Sequence, residues 1–209
     1  MNIENQIAQA LLKIGVFQYR PDEPFIFNTG ISSPLYMDNR QILFHPNVWH
    51  QVIDAFKKVI KEENIEFDVI GGLETTGMNF STSLGYDMKK PTIFVRKGLR
   101  DYGTKNRIES GDVKGKKVLL VQDTITTGKS MIEVAELLRE AGATVTDCLI
   151  VDSQDFLEAE RAFEKAEVNI HVLTNCRIVV KEALKAGMIN EEDSKIIESW
   201  YADPQNWGK

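Results

Sequence analysis

Apolar positions change their spacing several times along the chain, and each change predicts a new element. Ile3, Ile7, Leu11 and Leu12 recur at helical spacing up to Gly15, which predicts a helix over residues 3–14. Pro21 and Pro24 mark a turn, and short strands are predicted at 25–27 and 35–37 around Thr29-Gly30-Ile31-Ser32-Ser33-Pro34. Val48, Val52, Ala55, Phe56 and Val59 form an amphipathic stripe that predicts a helix over 46–61. A strand at 67–70 is expected to break at Gly71-Gly72, followed by a helix at 76–88 and a strand at 92–95. Residues 97–105 are polar, basic and glycine-flanked, hence a loop. Beyond it the pattern predicts strands at 118–121, 144–151 and 170–173, and helices at 129–141, 157–166, 179–186 and 191–200. Alternating strands and helices mean βαβ units, so the predicted class is α/β with a mainly parallel central sheet flanked by helices. The alternation starts only after residue 40, so residues 1–40 are expected to form a small N-terminal hood on a core of 41–209 within a single domain.

The chemistry of the chain is concentrated at one strand–helix junction. The apolar run Val118 to Val121 leads into Gln122, Asp123, Thr124 and Ile125, then into Thr126-Thr127-Gly128-Lys129-Ser130 and a helical pattern of Met131, Val134, Ala135, Leu137 and Leu138. Small hydroxyl residues and a glycine before a helix expose backbone N–H groups where the helix dipole favours an anion, so the segment suits a phosphate. The Asp123 carboxylate suits sugar hydroxyls or a hydrated Mg²⁺. Together these describe a ribose-5-phosphate site. The segment is neither GxxxxGK[ST] nor GxGxxG. An ordinary strand–loop–helix turn capped by Thr or Ser uses the same residue types and stays open as an alternative.

Composition narrows the field further. A formal net charge of −6 over 209 residues argues against nonspecific nucleic-acid binding and against an anionic membrane surface. Two cysteines make no disulfide framework, Cys148 falls in an apolar strand pattern, and no Cys/His spacing suggests zinc. No segment has the length and apolarity of a transmembrane helix, and the N-terminus lacks a signal-peptide pattern, so a soluble cytoplasmic protein is expected.

Several segments then agree with one family. The stretch from Pro24 through Phe27, Asn28, Thr29 and Gly30 to Arg40, the loop Gly71-Gly72-Leu73-Glu74-Thr75-Thr76-Gly77, the run Phe94-Val95-Arg96 with its basic continuation, the junction at 118–130 and the tail Glu198-Ser199-Trp200-Tyr201-Ala202-Asp203-Pro204 resemble, in order, the orotate phosphoribosyltransferases of the Bacillus-type branch. The resemblance implies a type I phosphoribosyltransferase fold with a flexible catalytic loop at 97–107. It implies Mg²⁺-dependent transfer of the phosphoribosyl group of PRPP to orotate, giving orotidine 5′-monophosphate and pyrophosphate in pyrimidine synthesis. It implies that Arg96, Lys97, Arg100, Tyr102, Gln122, Asp123 and residues Thr124, Ile125, Thr126, Thr127, Gly128, Lys129 and Ser130 bind PRPP. Lys97, Arg100 and Asp123 would be catalytic. The loop Leu73, Glu74, Thr75, Thr76, Gly77 would hold pyrophosphate, with the glycine pair supplying unusual dihedrals. Phe27, Asn28, Thr29, Thr126 and Ser153 would line the base pocket. Mg²⁺ would be held mainly by PRPP, with Asp123 as the protein group near it, and the protein would be a homodimer whose flap acts on the neighbouring subunit.

The chain departs from the family pattern at named positions. Arg100 and Tyr102 stand where a lysine and a histidine are usual, Gln122 replaces one of two acidic residues, and Asn28 and Ser153 stand where some branches carry basic residues for the orotate carboxylate. These changes keep open a phosphoribosyltransferase for another base and a PRPP- or nucleotide-sensing protein without catalysis.

Overall fold

The structure is a computed structural model that describes residues 2–27, 29–98 and 106–208. In chain order, α1 (Ile3–Lys13) is followed by the short strands β1 (Phe17–Tyr19), β2 (Phe25–Ile26), β3 (Ser32–Ser33) and β4 (Leu35–Met37), a 3-10 helix (Asn39–Phe44) and α2 (Pro46–Glu62). Then come β5 (Val69–Leu73), α3 (Thr76–Met88), β6 (Thr92–Val95), β7 (Ile108–Glu109), β8 (Val118–Ile125), α4 (Lys129–Glu140), β9 (Asp147–Ser153), α5 (Leu157–Lys165), β10 (Asn169–Asn175), α6 (Cys176–Lys185) and α7 (Glu191–Ala202).

The chain divides into two compact units, one of Met1–Trp49 with Thr174–Lys209 and the other of His50–Leu173. The second is built on a six-stranded sheet in the order β10-β9-β8-β5-β6-β7. β5 runs parallel to β6 and β8, β8 runs parallel to β9, and only the short β7 is antiparallel to its neighbour β6. Parallel strands need cover on both faces, which explains the unbroken apolar run Val118 to Val121. On one face Leu120, Cys148 and Ile150 pack with Met131, Val134 and Leu138 of α4 and Phe163 of α5. On the other, α3 lies along β5 and β8, and its Phe80 meets Phe56 of α2 edge-on at 6.1 Å. Each such side chain, fully buried, contributes about 1.5–3 kcal/mol.

Two sequence expectations are corrected here. Strand β5 does not break at Gly71-Gly72 but runs through both to Leu73, held by ladders to β6 and β8. Neither glycine has a positive φ; a methyl group on Gly72 would stand 2.3 Å from Ser81 Oγ and 2.4 Å from the Gly77 carbonyl oxygen. The glycine is there because α3 packs against the strand backbone, not because the turn needs special dihedrals. Strand β8 runs four residues beyond Val121, because Gln122 pairs with Ile150, Thr124 with Asp152 and Ile125 with Ser153 of β9. Asp123 therefore lies within the strand's last turn of ladder rather than after it.

In the other unit, β1 pairs with β4 and β2 with β3, both antiparallel. Helix α1 packs on α6, where Gln9 Nε2–H donates to Glu182 Oε2 at 2.7 Å. Helix α7 starts in a capping box between Asn190 and Asp193 and buries Trp200 completely. The indole N–H of Trp200 donates to the Ser32 carbonyl at 2.8 Å, and Phe27 meets its ring edge-on at 6.3 Å. Where the periodicity set residues 1–40 apart, the structure joins them to residues 174–209, since the N-terminal pieces alone have too little apolar surface to close a core. Cys148 and Cys176 are both free and buried. Among the described residues no helix is long and apolar enough to cross a membrane.

Candidate active site

The end of β8 and the start of α4 form the centre of the site. Gly128, with φ of +76°, is the residue before α4 and leaves no room for a side chain, since an added methyl group would stand 2.4 Å from Phe163 Cε2. No side chain caps α4, so its first N–H groups, at Lys129 and Ser130, suit an anion, while that of Met131 donates to the Gly128 carbonyl at 3.0 Å. Thr126 and Thr127 lead into that turn half-buried, and Lys129 and Ser130 are exposed. Thr124 is tied back to the sheet, its hydroxyl donating to the buried Asp152 at 2.9 Å. Ile125 is buried and fixes the strand end to β9, its carbonyl accepting from the Gln154 N–H at 2.9 Å.

Asp123 is half-buried two residues short of the strand end. Burial pushes its carboxyl above the ordinary value, opposed by the backbone N–H groups of Thr124 and of Asp123 itself, by the Thr76 hydroxyl and by the charge of Lys97. A carboxylate with donors already aimed at it, kept partly out of water, is a strong acceptor for a sugar hydroxyl. Gln122 is turned the other way: its Oε1 lies against α3, 2.3 Å from where a Gly77 methyl would be. The neutral amide packs against the first turn of α3, where a second carboxylate would have to be buried.

That loop, Leu73 to Gly77, joins β5 to α3 beside the same strand end. Thr76 is the first residue of α3, and Thr75 offers no side-chain cap, so this helix also presents open N–H groups. The guanidinium of Arg96 faces carboxylates: Nε and Nη2 donate to the two oxygens of Glu109 at 2.7 and 3.0 Å, and Nη1 lies 3.4 Å from Glu74 Oε2. Its bidentate fork, expected on phosphate, is thus engaged by Glu109 in this structure. Lys97 has an exposed side chain, and its backbone N–H donates to Glu74 Oε1 at 2.7 Å. Leu73, Glu74, Thr76, Arg96, Lys97 and Asp123 are therefore brought together at one end of the sheet.

Known proteins resemble this chain in sequence and in fold. The model of the phosphoribosyl transferase domain matches residues 38–175. Orotate phosphoribosyltransferase of Coxiella burnetii is 34% identical over 99% of this chain and 99% of its own, and that of Listeria monocytogenes is 32% identical over the full length of both. The chain belongs to the orotate phosphoribosyltransferase family. The orotate phosphoribosyltransferase structure from Aeropyrum pernix superimposes with a TM-score of 0.75 at 24% identity, covering 88% of this chain and 99% of that one. Leishmania donovani UMP synthase gives a TM-score of 0.82 at 23% identity, over 95% of this chain but only 42% of that longer one. The fold is the type I phosphoribosyltransferase fold.

The base-pocket candidates fall into two groups. Ser153 is buried beside Thr126, because Ile125 and Ser153 are partners in the β8–β9 ladder. Phe27 and Thr29 belong to the other unit, where Phe27 is half-buried against Tyr36 and Trp200 and Thr29 is exposed next to Gly30 at φ +82°. Asn28, Arg100 and Tyr102 lie outside the described residues. Three residues of this site were not anticipated: Glu109, Asp152 and Phe163. Glu109 had a legible signal, a carboxylate shortly after a basic loop, but its pairing with Arg96 depends on the β6–β7 hairpin. Asp152 and Phe163 read as plain strand and helix positions.

Among the described residues no three His, Cys, Asp or Glu side chains cluster as a metal site. The donor set fits an ion carried largely by substrate phosphates, since Mg²⁺ commonly takes one or two carboxylates and leaves the rest to water and phosphate, and Asp123 is such a carboxylate.

Proposed function

We propose that this chain transfers the phosphoribosyl group of PRPP to orotate, forming orotidine 5′-monophosphate and pyrophosphate with Mg²⁺, as a cytoplasmic homodimer serving pyrimidine synthesis. The observation that carries the proposal is the junction of β8 and α4, where the Asp123 carboxylate stands beside an uncapped helix start entered through Gly128. Orotate N1 bonds to C1 of the ribose as the bond from C1 to the pyrophosphate oxygen breaks, and the electron pair leaves with pyrophosphate. Positive charge grows on the ribose in between, so the sugar must be held and the leaving group stabilised.

The N–H groups of residues 128–130 hold the 5′-phosphate, and Asp123 accepts the ribose hydroxyls. The loop Leu73, Glu74, Thr75, Thr76, Gly77 holds pyrophosphate through the N–H groups past Glu74, whose own N–H is taken by the Val95 carbonyl. Arg96, Lys97 and Arg100 supply cations toward the leaving group, with Tyr102 as a neutral donor, and the segment at 97–107 acts on the neighbouring subunit. Thr126 and Ser153 line the base. Mg²⁺ would be held mainly by PRPP, with Asp123 as the protein group near it, and would neutralise the charge that develops on the departing pyrophosphate. Ser153 is the observation that favours a different base: beside Thr126 it offers a hydroxyl where a cation would match a carboxylate.

The test is loss of orotate absorbance in the ultraviolet with PRPP and Mg²⁺, alongside a panel of other bases. Turnover with orotate is the expected result. PRPP binding without orotate turnover would refute the assigned base, and absence of PRPP binding would refute the site.

A further inference from the structure

Three carboxylates converge on two cationic residues at one corner of the site. Glu109 takes the Arg96 fork through two short hydrogen bonds, and β6–β7 pairing fixes it there. Arg96 is tied again through its backbone: its N–H donates to the Arg107 carbonyl at 2.8 Å, and its own carbonyl accepts from Arg107 Nε at 3.0 Å. Asp123 feels the charge of Lys97 and takes the Thr76 hydroxyl. Glu74 is different from the other two. It is anchored through its own N–H to the Val95 carbonyl at 3.0 Å, and it lies inside the loop whose N–H groups face the leaving group. Its two oxygens reach separate donors, the Lys97 N–H at 2.7 Å and Arg96 Nη1 at the longer 3.4 Å.

A carboxylate inside an anion-binding loop lowers the affinity of that loop for any anion unless it has another task. Here it spans from the loop to the next strand's end and holds Arg96 and Lys97 in place. Of the contacts on Arg96, the one to Glu74 is single and long, so it yields first to an incoming anion of higher charge.

We propose that Glu74 is a positioning residue that serves as an internal anion, holding Arg96 and the Lys97 N–H while the leaving-group site is empty and giving up Arg96 Nη1 when pyrophosphate or the pyrophosphoryl end of PRPP arrives. This role rests on the assignment of residues 73–77 to pyrophosphate made above. The site trades affinity for order: Arg96 is aimed before substrate binds, at the expense of a weaker hold on product, which favours pyrophosphate release.

Calorimetric titration with inorganic pyrophosphate, in Mg²⁺ buffer, tests the proposal on wild type, Glu74→Gln and Glu74→Ala. The glutamine keeps an acceptor for the Lys97 N–H and loses only the charge, so pyrophosphate binds roughly five- to tenfold tighter. The alanine gains affinity in the same direction, but by less, because Lys97 loses its anchor, and its kcat falls more than that of the glutamine variant. A merely structural role would lower both denaturation midpoints without tightening pyrophosphate binding. Wild-type binding of pyrophosphate with unchanged or weaker binding in Glu74→Gln overturns this inference alone. No binding of pyrophosphate or PRPP by wild type overturns the assigned function and this inference with it.

Discussion

Replacing Gly72 by alanine tests how the site is supported. The added methyl group would meet the Gly77 carbonyl oxygen at 2.4 Å and its carbon at 2.7 Å, where ordinary contact begins at 3.4 Å. The deficit is about 1 Å. Ser81 Oγ, at 2.3 Å, can rotate away at the loss of its bond to the Met78 carbonyl, but the Gly77 carbonyl is helix backbone and cannot. Strand β5 is held by ladders on both sides, so the helix must move. Overpacking of this kind costs about 1–3 kcal/mol, and two backbone atoms place it at the upper end, near 3. For a chain of this size that lowers Tm by roughly 6–12 °C. The same shift carries Thr76 away from Asp123 and displaces the loop proposed to hold pyrophosphate. A misplacement of about 1 Å can reduce turnover by about a hundredfold. Chemical denaturation and PRPP calorimetry read the two effects. Gly111→Ala is the control, since its nearest neighbour would be 4.0 Å away. If Gly72→Ala unfolds within about 0.5 kcal/mol of wild type and binds PRPP equally well, the close approach of α3 is not what fixes this glycine.

Asp123→Asn should bind PRPP about 2 kcal/mol more weakly yet unfold at higher temperature at neutral pH, because burial disfavours its charge. Its carboxyl lies above the ordinary value, so the wild type, unlike the variant, should gain stability as pH falls through that raised value; parallel pH–stability curves would contradict this. Gly128→Ala should cost about 2–4 kcal/mol by denaturation, combining positive-φ strain with the clash on Phe163. Asp147 is held below the usual carboxylate range: burial raises it, but His171, Thr146 and Asn169 together lower it further. Its contribution is therefore full above its unfolded pKa and lost on acidification through the lower folded value. Urea midpoints against pH should show Asp147→Asn losing about 1–2 kcal/mol at pH 7 and little once acidification has protonated Asp147 in the folded state.

Much of this architecture was legible because local pattern and tertiary demand agree. Residues 76–88 and 92–95 form the helix and strand that their periodicity predicts. The strand-to-helix junction at 126–130 was legible because a glycine between hydroxyls and a helical stripe leaves few other structures. Gly71-Gly72 misled, because a residue without a side chain reads as a turn, and nothing in its neighbours says that a helix will lie against it. The partners of Arg96 were hidden for a related reason: Glu74 and Glu109 are 22 and 13 residues away, and only sheet register brings them together. The union of residues 174–209 with the N-terminal segment has no local signature at all, since Trp200 reads as an ordinary buried position until its N–H is seen on Ser32.

That one indole hydrogen bond closes a separation of 168 residues. A chain made from its N-terminus has residues 50–173 as a continuous stretch able to collapse as they emerge. Residues 1–49 must wait for α6 and α7, with which they share a unit, before α1 can bury its apolar face. Residues 1–49 thus complete their unit no earlier than residues 174–209 do, and a ribosome that stalls between the two leaves an apolar face of α1 in reach of chaperones.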